Sequence, residues 1–166
     1  SSTSRGLGDV YKRQAENVAE KYKISRDEQD LFALNSQEKT QKAINENRFK
    51  NELIKLKIGT DNKNFLFEKD EHPRSNLNLE DLKKLKTVFK ENGTVTAGNS
   101  SGINDGAAAT ILMSREESEL RTIEPLAKVV SWATCGVEPS LMGLGPIKAV
   151  NICLLYTSDA ADEEDS

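Results

Sequence analysis

Apolar residues recur at helical spacing in the first third of the chain. Ala15–Tyr22 predicts a short helix, and Ser25 followed by Glu28 forms a capping box that begins a longer one. The apolar stripe of this second helix consists of Leu31, Leu34, Ala43 and Ile44. We expect the helix to end near residues 45–47.

The spacing then changes to strict alternation of apolar and polar residues. Ile54, Leu56 and Ile58 alternate with lysines, and two phenylalanines follow a polar turn, so Glu52–Phe67 predicts a β-hairpin. A further helix, capped by Asn78, is predicted from its apolar positions. These are Leu79, Leu82, Leu85 and Phe89.

The last third of the chain predicts strands that alternate with helices. Ala107–Met113 and Leu126–Thr134 are apolar runs typical of buried strands, and Arg115–Leu120 between them predicts a helix. Pro146 is suited to the first turn of another helix. This order of elements favours an α/β fold.

The two ends of the chain differ from the middle. Residues 1–14 lack a sustained apolar period, and residues 152–166 change abruptly to small and acidic residues. Both strings resemble translated library-adapter sequence, so we expect them to be non-native and leave them out of the fold prediction. An ordinary frayed N-terminus and an acidic disordered tail are the alternative interpretation.

Charge and composition exclude several classes of function. The net charge is −4, the last eight residues contain five acidic groups, and lysines and arginines are scattered rather than clustered. This pattern argues against binding to nucleic acid or to a membrane surface.

Two cysteines without a signal peptide indicate a cytosolic protein, and together with His72 they offer too few ligands for a metal site. A content of 36% hydrophobic residues is lean for a self-sufficient core, so the chain resembles part of a larger protein.

A glycine-rich tract, TAGNSSGINDGAAAT at residues 96–110, is the strongest candidate for a binding segment. Its glycines, at positions 98, 102 and 106, permit close approach of a backbone or a ligand, although a packed strand-to-helix turn is an equal alternative. Gly98, Ser100 and Gly102 also match the serine-hydrolase motif G-x-S-x-G. That fold requires a histidine after the serine, and His72 comes before it. The tract also lacks the Gly-Lys-Ser/Thr ending of a phosphate-binding P-loop.

Two other residues have candidate chemistry. Cys135 is a possible nucleophile, but without a neighbouring histidine or basic cluster a small buried packing residue is the favoured interpretation. Arg74, in a proline-containing loop beside His72, can stack on an aromatic ligand or bind phosphate, unless it is simply solvated.

Five segments occur in a fixed order between residues 15 and 150: AENVAEKYKISRDEQDLFALNSQEKTQKAI, RFKNELIKLKI, FEKDEHPR, TVTAGNSSGINDGAAA and VVSWATCGVEPSLMGLGPIKAV. Together they resemble the biosynthetic-type thiolases, the acetyl-CoA acetyltransferases. The resemblance implies a layered α/β/α/β/α fold. It assigns residues 15–90 to the loop domain that covers coenzyme A, and residues 91–151 to the last part of the N-terminal α/β domain.

The resemblance implies Claisen condensation of two acetyl-CoA molecules to acetoacetyl-CoA, and the reverse thiolysis, through an acyl-cysteine intermediate. The family's catalytic cysteine and histidine motifs are not found here, so we expect no catalytic residue in this fragment and no activity from it alone. No permanently bound cofactor is expected, because the coenzyme A thioester is a substrate. The family also implies a cytoplasmic homodimer or homotetramer in fatty acid and ketone-body metabolism. A degradative 3-ketoacyl-CoA thiolase, or a non-catalytic module that binds coenzyme A or a protein, remains an alternative.

The resemblance also implies a set of coenzyme A contacts. Arg74 matches the arginine at the adenine end, and Phe89 matches an aromatic residue beside the same cleft. The pantetheine arm is matched by Ala97, Ser100, Ser101 and Ile103, and the acyl end by Met142. The sequence departs from the family at Asp81, where a serine is usual, and at residues 11–14, which replace a His-Met pair.

Overall fold

The computed structural model describes the backbone of residues 2–60 and 63–164 and the side chains of residues 10–59 and 65–155. The chain forms two compact units, Ser1–Gly102 and Ile103–Ser166. The first unit contains α1 (Ser2–Tyr22), α2 (Arg26–Asn45), β1 (Leu56–Thr60), β2 (Lys63–Phe67) and α3 (Leu79–Lys83). The second contains α4 (Arg115–Leu120), a 3₁₀ helix (Pro139–Leu144) and α5 (Gly145–Glu164).

Helix α1 is longer than the sequence pattern predicts. It begins at Ser2 rather than at Ala15, because residues 2–22 contain no proline to interrupt its backbone hydrogen bonds. Glu16 and Ala19, which lie three residues apart on one face, are 4% and 6% exposed. This face therefore packs into the first unit.

Helix α2 begins and ends where it was predicted. The capping box is confirmed: the Ser25 backbone N–H donates to Glu28 Oε2 at 2.7 Å, and the Glu28 N–H donates to Ser25 Oγ at 3.2 Å. The predicted apolar stripe, however, is not the buried face. Leu31 is 49% exposed, whereas Asp30 is fully buried, because hydrogen bonds satisfy its carboxylate, as described below.

The predicted β-hairpin is confirmed. Strands β1 and β2 are antiparallel, with Leu56 opposite Phe67 and Ile58 opposite Phe65. Since side chains alternate across a strand, these four apolar residues share one face of the hairpin. All four are exposed in this chain.

Helix α3 is shorter than its apolar spacing predicts. The Asn78 cap is confirmed, since its Oδ1 accepts from the Asp81 N–H at 2.9 Å, but Leu85 and Phe89 lie beyond the last helical residue. The Arg26 guanidinium from α2 caps this end of α3. Its Nη2 donates to the carbonyls of Leu82 and Leu85, at 2.6 and 3.1 Å, and the Leu82 carbonyl also accepts from the Leu85 N–H at 3.0 Å. Shortly afterwards the chain pairs Thr87 with Thr96 in an isolated antiparallel bridge.

The second unit confirms the predicted helices and corrects the predicted strands. Helix α4 matches its prediction, and Pro146 lies in the first turn of α5. The two predicted strands, 107–113 and 126–134, have no regular secondary structure, and their side chains are exposed, as at Ile111 (86%) and Val129 (70%). A strand requires a neighbouring backbone, and within the described residues the only sheet is the β1–β2 pair. The predicted domain boundaries and the non-native character of the two ends stay predictions.

Candidate functional site

A buried carboxylate from α1 holds the chain just before the glycine-rich tract. Both Glu16 oxygens accept from the Thr94 N–H, at 3.0 and 2.9 Å, and Oε1 also accepts from the Val95 N–H at 2.8 Å. The Thr94 hydroxyl donates to Oε2 at 3.2 Å. Glu16 therefore supplies the acceptors for two consecutive backbone amides, and Val95 is only 3% exposed.

A second buried carboxylate, from α2, holds the tract itself. Asp30 accepts from Arg26 Nε at 2.7 Å and from Asn99 Nδ2 at 2.9 Å. The Asn99 amide also donates to the Thr94 carbonyl at 3.0 Å and accepts from the Thr96 N–H at 2.8 Å. Three bonds thus fix the Asn99 side chain and join residues 94–99 to α2.

Gly98 is tightly packed against side chains, which favours the packed-turn alternative at this glycine. A Cβ at this position would lie 2.5 Å from Leu82 Cδ2 and from Leu85 Cδ1, so a larger residue would displace these two leucine side chains. The described glycines have no positive φ, so it is the lack of a Cβ rather than an unusual φ that is needed here. Ser100 closes the turn, because its hydroxyl donates to the Thr96 carbonyl at 2.7 Å.

The predicted site residues differ in their surroundings. In the tract, Ser100 is half-buried, while Ala97 and Ser101 are exposed and available to a ligand. Arg74 is also exposed, but its backbone N–H is held by Gln37 Oε1 at 2.8 Å. The two predicted site residues of the second unit, Ile103 and Met142, are 58% and 43% exposed.

Helix α1 contacts the segment that contains Phe89. This ring is half-buried, and Lys12 Nζ lies 5.0 Å from its centroid, a cation–π distance. The next residue, Lys90, forms an ion pair with Glu20 at 2.6 Å. The hydrogen bond from Lys90 lowers the pKa of Glu20, and the same bond raises the pKa of Lys90. Phe89 is therefore held between two contacts from one helix.

An open groove of about 420 Å³ lies between the second half of α2 and the loop at residues 74–77. Polar and charged side chains form most of its walls. They are Gln37, Glu38, Gln41, Lys42, Asn45, Glu46, Arg74 and Asn76, with Leu34 and Leu77 as apolar contacts. Arg74 and Lys42 are the cationic residues of this lining, and Glu38 and Glu46 are the acidic ones.

Sequence reasoning missed the residues that hold the site together. Each of these side chains forms a hydrogen bond to a segment at least 37 residues away: they are Glu16, Asp30 and Gln37. Residue spacing within one helix gives no information about such distant partners. A signal was present for Asp30. It interrupts the predicted apolar side of α2 at helical spacing from Leu34, and Arg26 precedes it by one turn. Since charged pairs at i, i+4 usually lie on the exposed surface of a helix, only the position of this pair on the apolar side of α2 indicated burial.

Other chemistry finds little support in the described part of the chain. Groups of three or more His, Cys, Asp or Glu able to hold a metal ion do not occur there. Cys135 is half-buried rather than buried, and its thiol donates to the Gly145 carbonyl at 3.3 Å. The described helices are too short or too polar to cross a membrane.

Comparison with known proteins identifies the family. A family model described as the thiolase N-terminal domain matches residues 4–116. The chain belongs to the thiolase family. The acetyl-CoA acetyltransferase of Shinella zoogloeoides is 48% identical over 135 residues, which are 81% of this chain and 34% of that relative. This thiolase chain therefore spans about a third of the length of the curated relatives it matches.

Solved thiolase structures confirm the fold. The acetyl-CoA acetyltransferase of Bacillus anthracis superposes with a TM-score of 0.81 at 40% identity, covering 89% of this chain and 38% of that one. Human mitochondrial 3-ketoacyl-CoA thiolase gives 0.76 at 42% identity, covering 85% and 35%. The mixed helix and strand structure is thus part of a thiolase fold, as the sequence resemblance implied.

Proposed function

We propose that this chain is the coenzyme A-binding portion of an acetyl-CoA acetyltransferase. The observation that carries the proposal is the tract at residues 94–101, which two buried carboxylates hold in place while Ala97 and Ser101 stay exposed. Such a tract offers backbone groups and a small hydroxyl to an extended ligand. Its support is the identity of 48% to relatives that bear this enzyme name.

The proposed ligand contacts are those that the family resemblance implies, and the chemistry of the residues is compatible with them. The pantetheine arm contains two amides, which Ser101 and the backbone of the tract can bind. Arg74, exposed at the polar groove, is suited to the phosphates or adenine of the other end, because a guanidinium binds phosphate and stacks on aromatic rings. By the resemblance, Phe89 is assigned to the adenine end, Ile103 to the pantetheine arm and Met142 to the acyl end. Coenzyme A is a substrate here, and no permanently bound cofactor is part of the proposal.

The proposed reaction is thiolysis of acetoacetyl-CoA and its reversal. A cysteine thiolate attacks the C3 carbonyl, the C2–C3 bond breaks, and the departing acetyl-CoA enolate takes a proton. The acetyl group then passes from the cysteine to the thiol of free coenzyme A, whose proton goes to a base. We propose that regions of the gene product beyond this chain supply these catalytic groups, so that this chain alone binds and positions. The complete enzyme would be a cytoplasmic homodimer or homotetramer.

The complete product of the gene that encodes this chain tests the proposal. We expect it to cleave acetoacetyl-CoA in the presence of free coenzyme A, while the 166-residue chain alone does not. A folded complete product without thiolysis would refute the enzyme assignment. Activity that instead rises with longer 3-ketoacyl-CoA substrates would favour the degradative alternative.

A further inference from the structure

Helix α2 binds both candidate ligand-binding segments with one of its faces. Asp30 Oδ1 accepts from the Asn99 amide of the tract at 2.9 Å, and Gln37 Oε1 accepts from the Arg74 N–H at 2.8 Å. Seven residues separate Asp30 from Gln37. At 100° and 1.5 Å per residue, they point within roughly 20° of each other and lie about 10 Å apart along the helix.

We infer that Gln37 is a positioning residue that sets the distance between Arg74 and the tract. The inference rests on the proposed function, in which one coenzyme A molecule contacts both segments. An extended ligand gains from its second contact only if the two sites are correctly spaced. The α2 helix is a rigid spacer, and the bond from Gln37 attaches the Arg74 backbone to it.

The surroundings of Arg74 explain why this single bond matters. The loop from residue 68 to residue 78 has no helix or strand of its own, and Asn76 within it has a left-handed φ of 63°. The Arg74 side chain is exposed, so packing does little to fix its position. The bond to Gln37 therefore restrains the Arg74 backbone, from which the guanidinium extends at the groove.

The thiol specificity of the complete gene product tests this role. Gln37→Ala should raise the KM for coenzyme A in thiolysis about 2- to 10-fold, the effect of one net hydrogen bond, and leave kcat unchanged. The KM for pantetheine as the thiol should not change, because pantetheine lacks the adenine and phosphate end. Asn35→Ala, an exposed amide on the opposite side of α2, is the matched control and should change neither constant.

Two results would overturn the inference. One is an unchanged KM for coenzyme A. The other is an equal rise for coenzyme A and pantetheine, which would mean that Gln37 only stabilises the fold. The wild-type protein separates these failures from failure of the proposed function, since an inactive wild type refutes the enzyme assignment before any variant is made.

Amide hydrogen exchange in the 166-residue chain gives a readout that needs no ligand. Gln37→Ala should accelerate exchange at the Arg74 N–H, while Gln37→Glu, which keeps an acceptor oxygen, should preserve its protection. Equal exchange at Arg74 in all three proteins would also overturn the inference, because the bond would then not restrain the loop.

Discussion

Glu16 offers the sharpest test of how the binding tract is held. Its carboxylate is 4% exposed and is the acceptor for the backbone amides of Thr94 and Val95. In Glu16→Ala these donors lose their partner. Leaving a buried donor unpaired costs about 1–3 kcal/mol. Thr94 is only half-buried and can regain water, so we expect a total loss of ~2–4 kcal/mol in the free energy of unfolding.

The conservative variant Glu16→Gln tests whether one of the two carboxylate oxygens is sufficient. Glu16→Gln keeps one acceptor oxygen, which can serve both amides, and places an NH₂ group beside the Thr94 hydroxyl. That hydroxyl already accepts from Gln29 Nε2 at 2.8 Å and has a second lone pair for the new donor, so the network survives with a changed donor. We expect a loss of ~1 kcal/mol, near the net value of one hydrogen bond.

Urea unfolding of the 166-residue chain, followed by circular dichroism, measures these differences. Glu20→Ala is the matched control, because Glu20 lies one turn further along α1 and also contacts the segment before the tract, through Lys90. Glu20 is exposed, so its ion pair is screened by water and its loss should change stability little. If Glu16→Ala unfolds at the same urea concentration as Glu20→Ala, the buried carboxylate does not hold the tract.

Three further predictions concern Gly93, Glu28 and Ser101. Gly93→Ala should lower stability and add little to Glu16→Ala, because the new Cβ would lie 2.8 Å from Glu16 Cδ; fully additive losses in urea unfolding would contradict this. Hydrogen bonds from the hydroxyl and backbone of the N-cap serine lower the pKa of Glu28 below its ordinary value of 4.5. Its ionised form therefore stabilises α2 above that pH, and the stability difference between wild type and Glu28→Gln should vanish as the pH falls through the lowered pKa. A pH-independent difference would refute this cause. Ser101→Ala should raise the KM for coenzyme A in the complete product about 2- to 10-fold, the equivalent of ~0.5–1.5 kcal/mol for one net hydrogen bond. An unchanged KM would mean that the hydroxyl does not bind the ligand.

Local chemistry explains which elements were predictable. The Ser25 and Asn78 caps satisfy backbone amides within three residues, so the sequence pattern contains both partners. The hairpin likewise depends on alternation of apolar and polar residues in two strands that are close together along the chain. Helix α3 was predicted too long, and its spacing could not show that Arg26, more than 50 residues earlier in the chain, binds the carbonyls at its end.

The two predicted strands of the second unit fail for a different reason. Ile111, Leu126 and Val129 have the apolar character of buried strand residues, yet all three are largely exposed in this chain. An apolar run favours a strand only where another backbone supplies hydrogen bonds and another layer covers its face. The sequence therefore indicates a preference, and the partner decides whether the strand forms.

The glycine-rich tract combines both kinds of information. Gly98 was recognisable from sequence as a point of close approach, and Leu82 and Leu85 are the side chains that require it. The role of Asn99 was not recognisable, since an asparagine between glycine and serine is equally typical of a surface turn. Only the buried carboxylate of Asp30 distinguishes the two cases. It fixes the amide that binds Thr94 and Thr96, and the fixed backbone is what leaves Ser101 exposed at a defined position.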